Sequence, residues 1–162
     1  MNLLATAPLW VIVILVVLLA AAAIQDAVQL RISNITTVAV FALGLAAIAV
    51  TGFHSGLWQN FLAFGVVFAV GAILFSLGAF GGGDVKLFAA VALWTDGRGA
   101  PLLIAAILIG GGVLALFILF LRAVAPDVLR RRVATLRPRA GIPYGIAVSL
   151  GTFVAIALAR SL

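Results

Sequence analysis

The rest of the chain is organised around the segment Gly81-Gly82-Gly83-Asp84-Val85-Lys86. It places a carboxylate and an ammonium group in a very apolar chain that has only 4 acidic residues, namely Asp26, Asp84, Asp96 and Asp127. An ionisable residue in such a setting is costly, roughly 2.5–3.5 kcal/mol at the centre of a spanning helix, and marks a functional site by default. Glycines let the backbone approach closely and adopt φ values that other residues avoid. We therefore predict that Asp84 is one half of a catalytic pair.

The composition indicates a polytopic membrane protein. Hydrophobic residues make up 66% and charged residues 9% of the 162 positions, against about 45–50% and about 25% in soluble domains. A chain of this length is expected to form a single domain over residues 1–162. The chain has no cysteine, which excludes disulfides and thiolate catalysis, and its single histidine, His54, argues against a histidine metal site. We predict no metal and no cofactor.

Apolar runs along the chain predict an all-α fold with about six transmembrane helices. A spanning helix needs about 20 residues, because the hydrocarbon core is about 30 Å thick and the helix rises about 1.5 Å per residue. The predicted helices cover residues 8–28, 34–51, 57–79, 84–95, 101–124 and 142–159. The fourth helix is much shorter than the others. Ser33 or Asn34 is the expected N-cap of the second helix.

Positive charges set the expected orientation in the membrane. Six helices put the loops after the first, third and fifth helix on one side, and these carry most of the 10 basic residues: Arg31, Lys86, Arg122, Arg130, Arg131, Arg132, Arg137 and Arg139. The positive-inside rule places this side in the cytoplasm, together with Asp26 and Asp84. Trp10, Trp58 and Trp94 fall at the opposite helix ends, where an aromatic belt is expected.

The net charge of +6 has two interpretations. A basic soluble protein would suggest nucleic acid as a partner. In a chain this apolar, the arginines between residues 130 and 139 are instead expected to set the topology and to contact anionic lipid. We predict no nucleic-acid partner.

Two aspartates that face one partly dehydrated site favour acid–base chemistry. Burial and like-charge repulsion raise one pKa, so that the pair shares a proton. One carboxylate then acts as a general base on water, and the other acts as a general acid toward a carbonyl group. This chemistry suits amide hydrolysis without a metal or a serine nucleophile. Lys86 is expected to bind lipid phosphate, to contact substrate or to tune the site.

Three sequence elements resemble the type IV prepilin peptidases, which are membrane aspartyl proteases. Residues 81–87 are similar to the motif G-x-G-D-x-K-L of that family. Asp26 followed by Arg31-Ile32-Ser33-Asn34 is similar to D…R-I-P-N, with Ser33 where proline is usual. Ile142-Pro143-Tyr144-Gly145 resembles I-P-Y/F-G. The three elements follow the family's order and span most of the chain.

The resemblance implies a function and a set of site residues. It implies that Asp26 and Asp84 are catalytic, and we assign the shaping of the substrate site to Gly81, Gly83, Lys86, Arg31, Asn34, Pro143 and Tyr144. The implied reaction removes a short basic leader from Flp-like type IV prepilins at the cytoplasmic face of the bacterial inner membrane. The chain has no cysteine and no N-terminal cytoplasmic region, similar to the short, peptidase-only members of Flp/Tad pilus systems. No N-methyltransferase activity is therefore expected.

Other interpretations of the acidic residues compete with this one. Proteases of the presenilin or signal-peptide-peptidase type also carry G-x-G-D, but they have more helices and a tyrosine where this chain has Gln25. A small transporter or ion-conducting subunit would use Asp26, Asp84 and Lys86 as a relay, although it would need polar residues across the full depth. Structural roles are an N-cap for Asp84 and a loop charge paired with Arg31 for Asp26.

Overall fold

The structure, a computed structural model, describes residues 1–126, Thr135 and residues 141–161. Its helices are α1 (Leu3–Thr6), α2 (Leu9–Gln29), α3 (Asn34–Thr51), α4 (Trp58–Ser76), α5 (Gly82–Ala92), α6 (Gly99–Val124) and α7 (Tyr144–Ser161). Among them, α2, α3, α4, α6 and α7 are long and apolar enough to cross a membrane. The prediction of an all-α, polytopic membrane protein is confirmed. The arginines with predicted lipid contact, Arg130, Arg131, Arg132, Arg137 and Arg139, lie outside the described residues.

The short helix α5 occupies the centre of the bundle. It has 11 residues, which at about 1.5 Å per residue gives roughly 16 Å, about half of a hydrocarbon core of about 30 Å. It packs against α3, α4 and α7, and its residues Leu87 and Val91 are fully buried. α5 is therefore enclosed by protein and is not one of the spanning helices.

Hydrogen bonds from other parts of the chain complete the C-terminal end of α5. A helix leaves its last carbonyl groups without partners inside the helix, and away from water each unsatisfied group costs several kcal/mol. The Asn60 side-chain amide donates to the Leu93 carbonyl at 2.9 Å. The N–H group of Leu3 donates to the Trp94 carbonyl at 2.9 Å. The small helix α1 therefore covers the end of α5, and this position explains why Leu3 is fully buried.

Trp94 does not belong to an aromatic belt. Its side chain is fully buried, and its indole N–H donates to the Val40 carbonyl at 3.3 Å. Trp10 and Trp58, by contrast, are 57% and 61% exposed. The prediction for Trp94 is wrong because the helix before it, expected over residues 84–95, ends at Ala92 inside the bundle.

Two glycines with different surroundings report on the packing of α6 against α7. A Cβ atom on Gly151 of α7 would lie 2.6 Å from the Cα atom and 2.7 Å from the backbone nitrogen of Ile107 in α6. Small residues allow membrane helices to approach this closely. A Cβ atom on Gly110 of α6 would meet no atom within 4 Å. The Gly151 contact holds α7 in place, and α7 carries the I-P-Y-G element at its start.

We expect Gly151→Ala to lower the free energy of unfolding by about 1–3 kcal/mol, because the added methyl group overpacks a backbone-to-backbone contact. Gly110→Ala adds the same group to open space and is expected to leave stability unchanged or slightly higher. Thermal unfolding of both variants in detergent measures the difference. Equal midpoints for the two variants would contradict this packing.

Candidate active site

Asp26 lies in the last turns of α2 and is buried, with 3% of its surface exposed. Its Oδ2 atom accepts a hydrogen bond of 2.6 Å from the Gly145 N–H group. This N–H group belongs to the first turn of α7, and the first four N–H groups of a helix have no partner within it. Asp26 therefore caps α7 from another helix, which differs from the alternative interpretation of a loop charge paired with Arg31.

The I-P-Y-G element provides the geometry of this contact. Pro143 is buried immediately before α7, a position where its missing N–H group is not needed. A Cβ atom on Gly145 would lie 2.9 Å from Asp26 Oδ2 and 2.8 Å from Ile32 Cδ1, so a larger residue would push the carboxylate away. Ile32 is a site residue that the prediction missed, although it stands in one of the recognised sequence elements.

The turn between α2 and α3 holds the next residues of the site beside Asp26. Leu30 ends α2 in the left-handed region, with φ of 52°. The Gln25 side chain accepts a hydrogen bond from the Ser33 N–H group at 3.2 Å. The Ser33 hydroxyl in turn accepts from the Ile35 N–H group at 3.1 Å, which confirms Ser33 as the N-cap of α3. These bonds fix the direction in which the chain leaves Asp26.

Asp84 is the third residue of α5. The Gly81 N–H group donates to its carboxylate, and Gly81 is the N-cap residue of this helix. The arrangement is one half of a capping box, in which an acidic side chain at the third position bonds back to the N-cap. A structural role of Asp84 is thus present, at the third helical position and not at the N-cap itself. Because a carboxylate has about four lone-pair sites, this role leaves capacity for a second one.

Gly81 and Gly83 matter for their size and not for unusual backbone angles. The φ angle of Gly81 is −76°, and the positive φ nearby belongs to Gly78. The expectation of unusual angles for Gly81 is therefore wrong. A Cβ atom on Gly81 would lie 2.6 Å from Asp84 Oδ2, and one on Gly83 would lie 3.2 Å from Ile32 Cβ. Gly81 thus leaves room for the Asp84 carboxylate, and Gly83 lets the start of α5 approach the turn that follows Asp26.

Both aspartates line one cavity of about 340 Å³. It also brings together most of the predicted site residues, and its lining consists of Asp26, Leu30, Arg31, Ile32, Asn34, Gly81, Gly82, Gly83 and Asp84. Lys86 lies beside it and donates to Asn34 Oδ1 at 3.1 Å. Within the described residues, no three His, Cys, Asp or Glu side chains cluster closely enough to hold a metal ion. A chemical group in this cavity can therefore contact two carboxylates, with the cations Arg31 and Lys86 close by.

Pro143 and Tyr144 are not part of the cavity lining. The Tyr144 ring packs against the Phe80 ring, with 4.7 Å between their centroids. Phe80 immediately precedes Gly81, and Tyr144 is the first residue of α7. This contact ties the start of α5, which carries Asp84, to the start of α7, which binds Asp26.

The two carboxylates also interact electrostatically. Burial, and secondly the nearby Asp26 carboxylate, raise the pKa of Asp84 to about 7. Asp84 belongs to α5 and lies outside the five spanning helices. Since two like charges that share a cavity do not both ionise at low cost, the pair retains a proton up to near neutral pH. This arrangement supplies one carboxylate and one carboxylic acid together.

One comparison with known proteins identifies a relationship. The model of the type IV leader peptidase family matches residues 13–132. The matched range includes both aspartates and the glycine-rich stretch. Comparisons with curated proteins and with solved structures found no match.

We expect Asp84→Asn to stabilise the protein at neutral and alkaline pH. Because the pKa of Asp84 is raised in the folded state, the wild-type protein has the full stability contribution of this group below the unfolded pKa of about 4 and loses it as the pH rises through about 7. The neutral amide does not titrate. The thermal midpoint of the variant should therefore rise relative to that of the wild type as the pH increases from about 4 to about 7. Above about pH 7 the difference between the two midpoints should stay constant.

Asp96→Asn is the matched control for this measurement. The Asp96 carboxylate accepts hydrogen bonds from the N–H groups of Gly99 at 2.9 Å and Arg98 at 3.2 Å at the start of α6, so its loss is not expected to stabilise the protein. Melting curves of both variants across this pH range provide the comparison. A midpoint difference for Asp84→Asn that does not change with pH would contradict the raised pKa.

Proposed function

The chain belongs to the type IV leader peptidase family, and from this membership we propose that it is an intramembrane aspartyl endopeptidase. The family implies a prepilin peptidase. The finer proposal is that the enzyme removes the short basic leader from Flp-like prepilins and uses Asp26 and Asp84 to activate water. The observation that supports it is the position of these two residues, which come from helices α2 and α5 and line one cavity.

The mechanism uses one proton that the two carboxylates share. The ionised aspartate takes a proton from water, and the oxygen of that water attacks the carbonyl carbon of the scissile peptide bond. The protonated aspartate donates its proton to the carbonyl oxygen, which gives a neutral tetrahedral diol. Transfer of a proton to the amide nitrogen then breaks the C–N bond and releases the leader as a carboxylic acid. We assign the acid to Asp84, with its raised pKa, and the base to Asp26, which accepts the Gly145 N–H group.

The orientation in the membrane is part of the proposal. The cavity lies at the C-terminal end of α2 and the N-terminal end of α5, beside Arg31 and Lys86. Positive residues favour the cytoplasmic side, so we assign the cavity to the cytoplasmic face of the bacterial inner membrane. The absence of cysteine in the chain supports a peptidase without N-methyltransferase activity.

Asp26→Asn and Asp84→Asn are each expected to abolish cleavage, with a loss of at least about 10³-fold in rate, because either change removes the acid or the base. Co-expression with an Flp-type prepilin and separation by size measures the removal of the leader. The control variant Asp96→Asn keeps both Asp26 and Asp84 and is expected to cleave the prepilin at the wild-type rate. Full processing of the prepilin by both Asp26→Asn and Asp84→Asn would rule out the proposed catalytic pair.

The pH dependence of cleavage tests the assignment of the acid. Since kcat/KM reports the groups of the free enzyme, and the pKa of Asp84 is about 7, we expect kcat/KM to fall by about tenfold per unit above about pH 7. Below this value Asp84 holds its proton and the acid is present. Initial rates in detergent across the pH range provide the profile. A rate that stays constant up to about pH 9 would mean that Asp84 is not the acid.

A further inference from the structure

An apolar groove runs between α3 and α4, and we call it the phenylalanine groove. It has a volume of about 440 Å³ and is walled by Val38, Phe41, Phe64 and Phe68. The rings of Phe41 and Phe64 are 5.1 Å apart, and those of Phe64 and Phe68 are 6.0 Å apart and stacked. The buried Ala90 of α5 forms its floor. The groove therefore presents a continuous apolar surface at the side of the bundle.

The phenylalanine groove meets the catalytic cavity at Asn34. This residue lines both spaces, and it accepts the hydrogen bond from Lys86, which also lines the groove. Along α3 the groove residues Asn34, Val38 and Phe41 have the spacing of one helix face. Seven residues at about 1.5 Å each give a length of about 10 Å, or about two turns of a helix.

A second apolar cleft, on the other flank of α4, lacks this connection. It is lined by residues of α4, α5 and α6, among them Val70, Gly71 and Leu108. Among the described residues it shares none with the lining of the cavity that holds Asp26 and Asp84, and it reaches the neighbouring positions Phe80 and Val85. Of these two apolar spaces beside α4, the phenylalanine groove is the one that shares a described lining residue, Asn34, with the cavity.

We propose that the phenylalanine groove binds the apolar transmembrane helix of the protein substrate and thereby positions the bond to be cleaved. The inference rests on the peptidase function proposed above. In lipid a single spanning segment satisfies its own backbone groups only as a helix, and the aliphatic and aromatic walls complement an apolar helix face. The polar mouth at Asn34 and Lys86 lies where the chain leaves this helix and presents a peptide bond to the cavity. Val38 and Phe68, in the walls, are then determinants of substrate binding.

A kinetic comparison of two tryptophan variants tests this role. Val38 is 62% exposed in the phenylalanine groove, and Val70 is 52% exposed and lines the second cleft. Val38→Trp is expected to raise KM for an Flp-type prepilin by about tenfold or more with kcat within about twofold, the pattern of lost substrate binding. Val70→Trp is expected to leave both constants unchanged. Equal effects of the two variants, or no effect of Val38→Trp, would overturn the proposal.

Cross-linking gives a second test with a smaller change of side chain. The chain has no cysteine, so Val38→Cys and Val70→Cys each introduce a single thiol. In the Asp84→Asn background, which retains uncleaved substrate, each variant is combined with a prepilin that carries one cysteine at successive positions after the cleavage site. Val38→Cys is expected to form disulfides at prepilin positions three or four residues apart, within about two turns. Val70→Cys is expected to form none.

The possible outcomes distinguish a failure of the groove proposal from a failure of the peptidase proposal. If the wild-type enzyme does not cleave the prepilin, the peptidase proposal fails. If it cleaves but Val38→Cys does not capture the substrate, the groove proposal fails and the peptidase proposal stands. The groove proposal would also be overturned if position 38 formed disulfides between two copies of the enzyme, or if substrate were captured at position 70 alone.

Discussion

A helix too short to cross a membrane must have the polar groups at both of its ends satisfied inside the protein, and the structure depends on how this is done for α5. At its C-terminal end, the Asn60 side chain and the backbone of Leu3 donate to carbonyl groups that have no partner within the helix. At its N-terminal end, Asp84 bonds back to Gly81, and the space beyond is the cavity that also holds Asp26. One end of α5 is thus closed by protein, and the other end opens onto the cavity that both aspartates line.

The contact between Asp26 and α7 joins parts of the chain that are far apart in sequence. Asp26 accepts the Gly145 N–H group in the first turn of α7, and the Gly145 position has room for no side chain. The Phe80–Tyr144 contact brings the start of α5 to the same place. This explains why the aspartate after the first helix, the glycine-rich stretch and the I-P-Y-G element belong together. Each supplies one side of a single site, and α7 is held there by its close packing against α6.

The sequence predicted features that depend on rare residue types, and it did not predict features that depend on how the helices pack together. Acidic residues are so few that Asp26 and Asp84 stand out, and apolar runs predict the all-α class directly. Trp94 was misplaced because a tryptophan at a helix end has the same pattern whether it meets lipid or the inside of a bundle. Gly145 could not be assigned as a contact of Asp26, since 119 residues separate them. The phenylalanine groove depends on the spacing of α3 and α4, which no local pattern encodes.

The central claim is that Asp26 and Asp84 form a coupled pair that holds one proton near neutral pH. Infrared spectroscopy of the carboxyl carbonyl stretch tests it most directly, because the chain has only 4 acidic side chains and one substitution is enough to assign a band. We expect a protonated carboxyl band that disappears with a midpoint near the Asp84 pKa of about 7 and is absent from Asp84→Asn. Ionisation of both carboxylates at all pH values above about 5 would contradict it, since unperturbed aspartates ionise near pH 4.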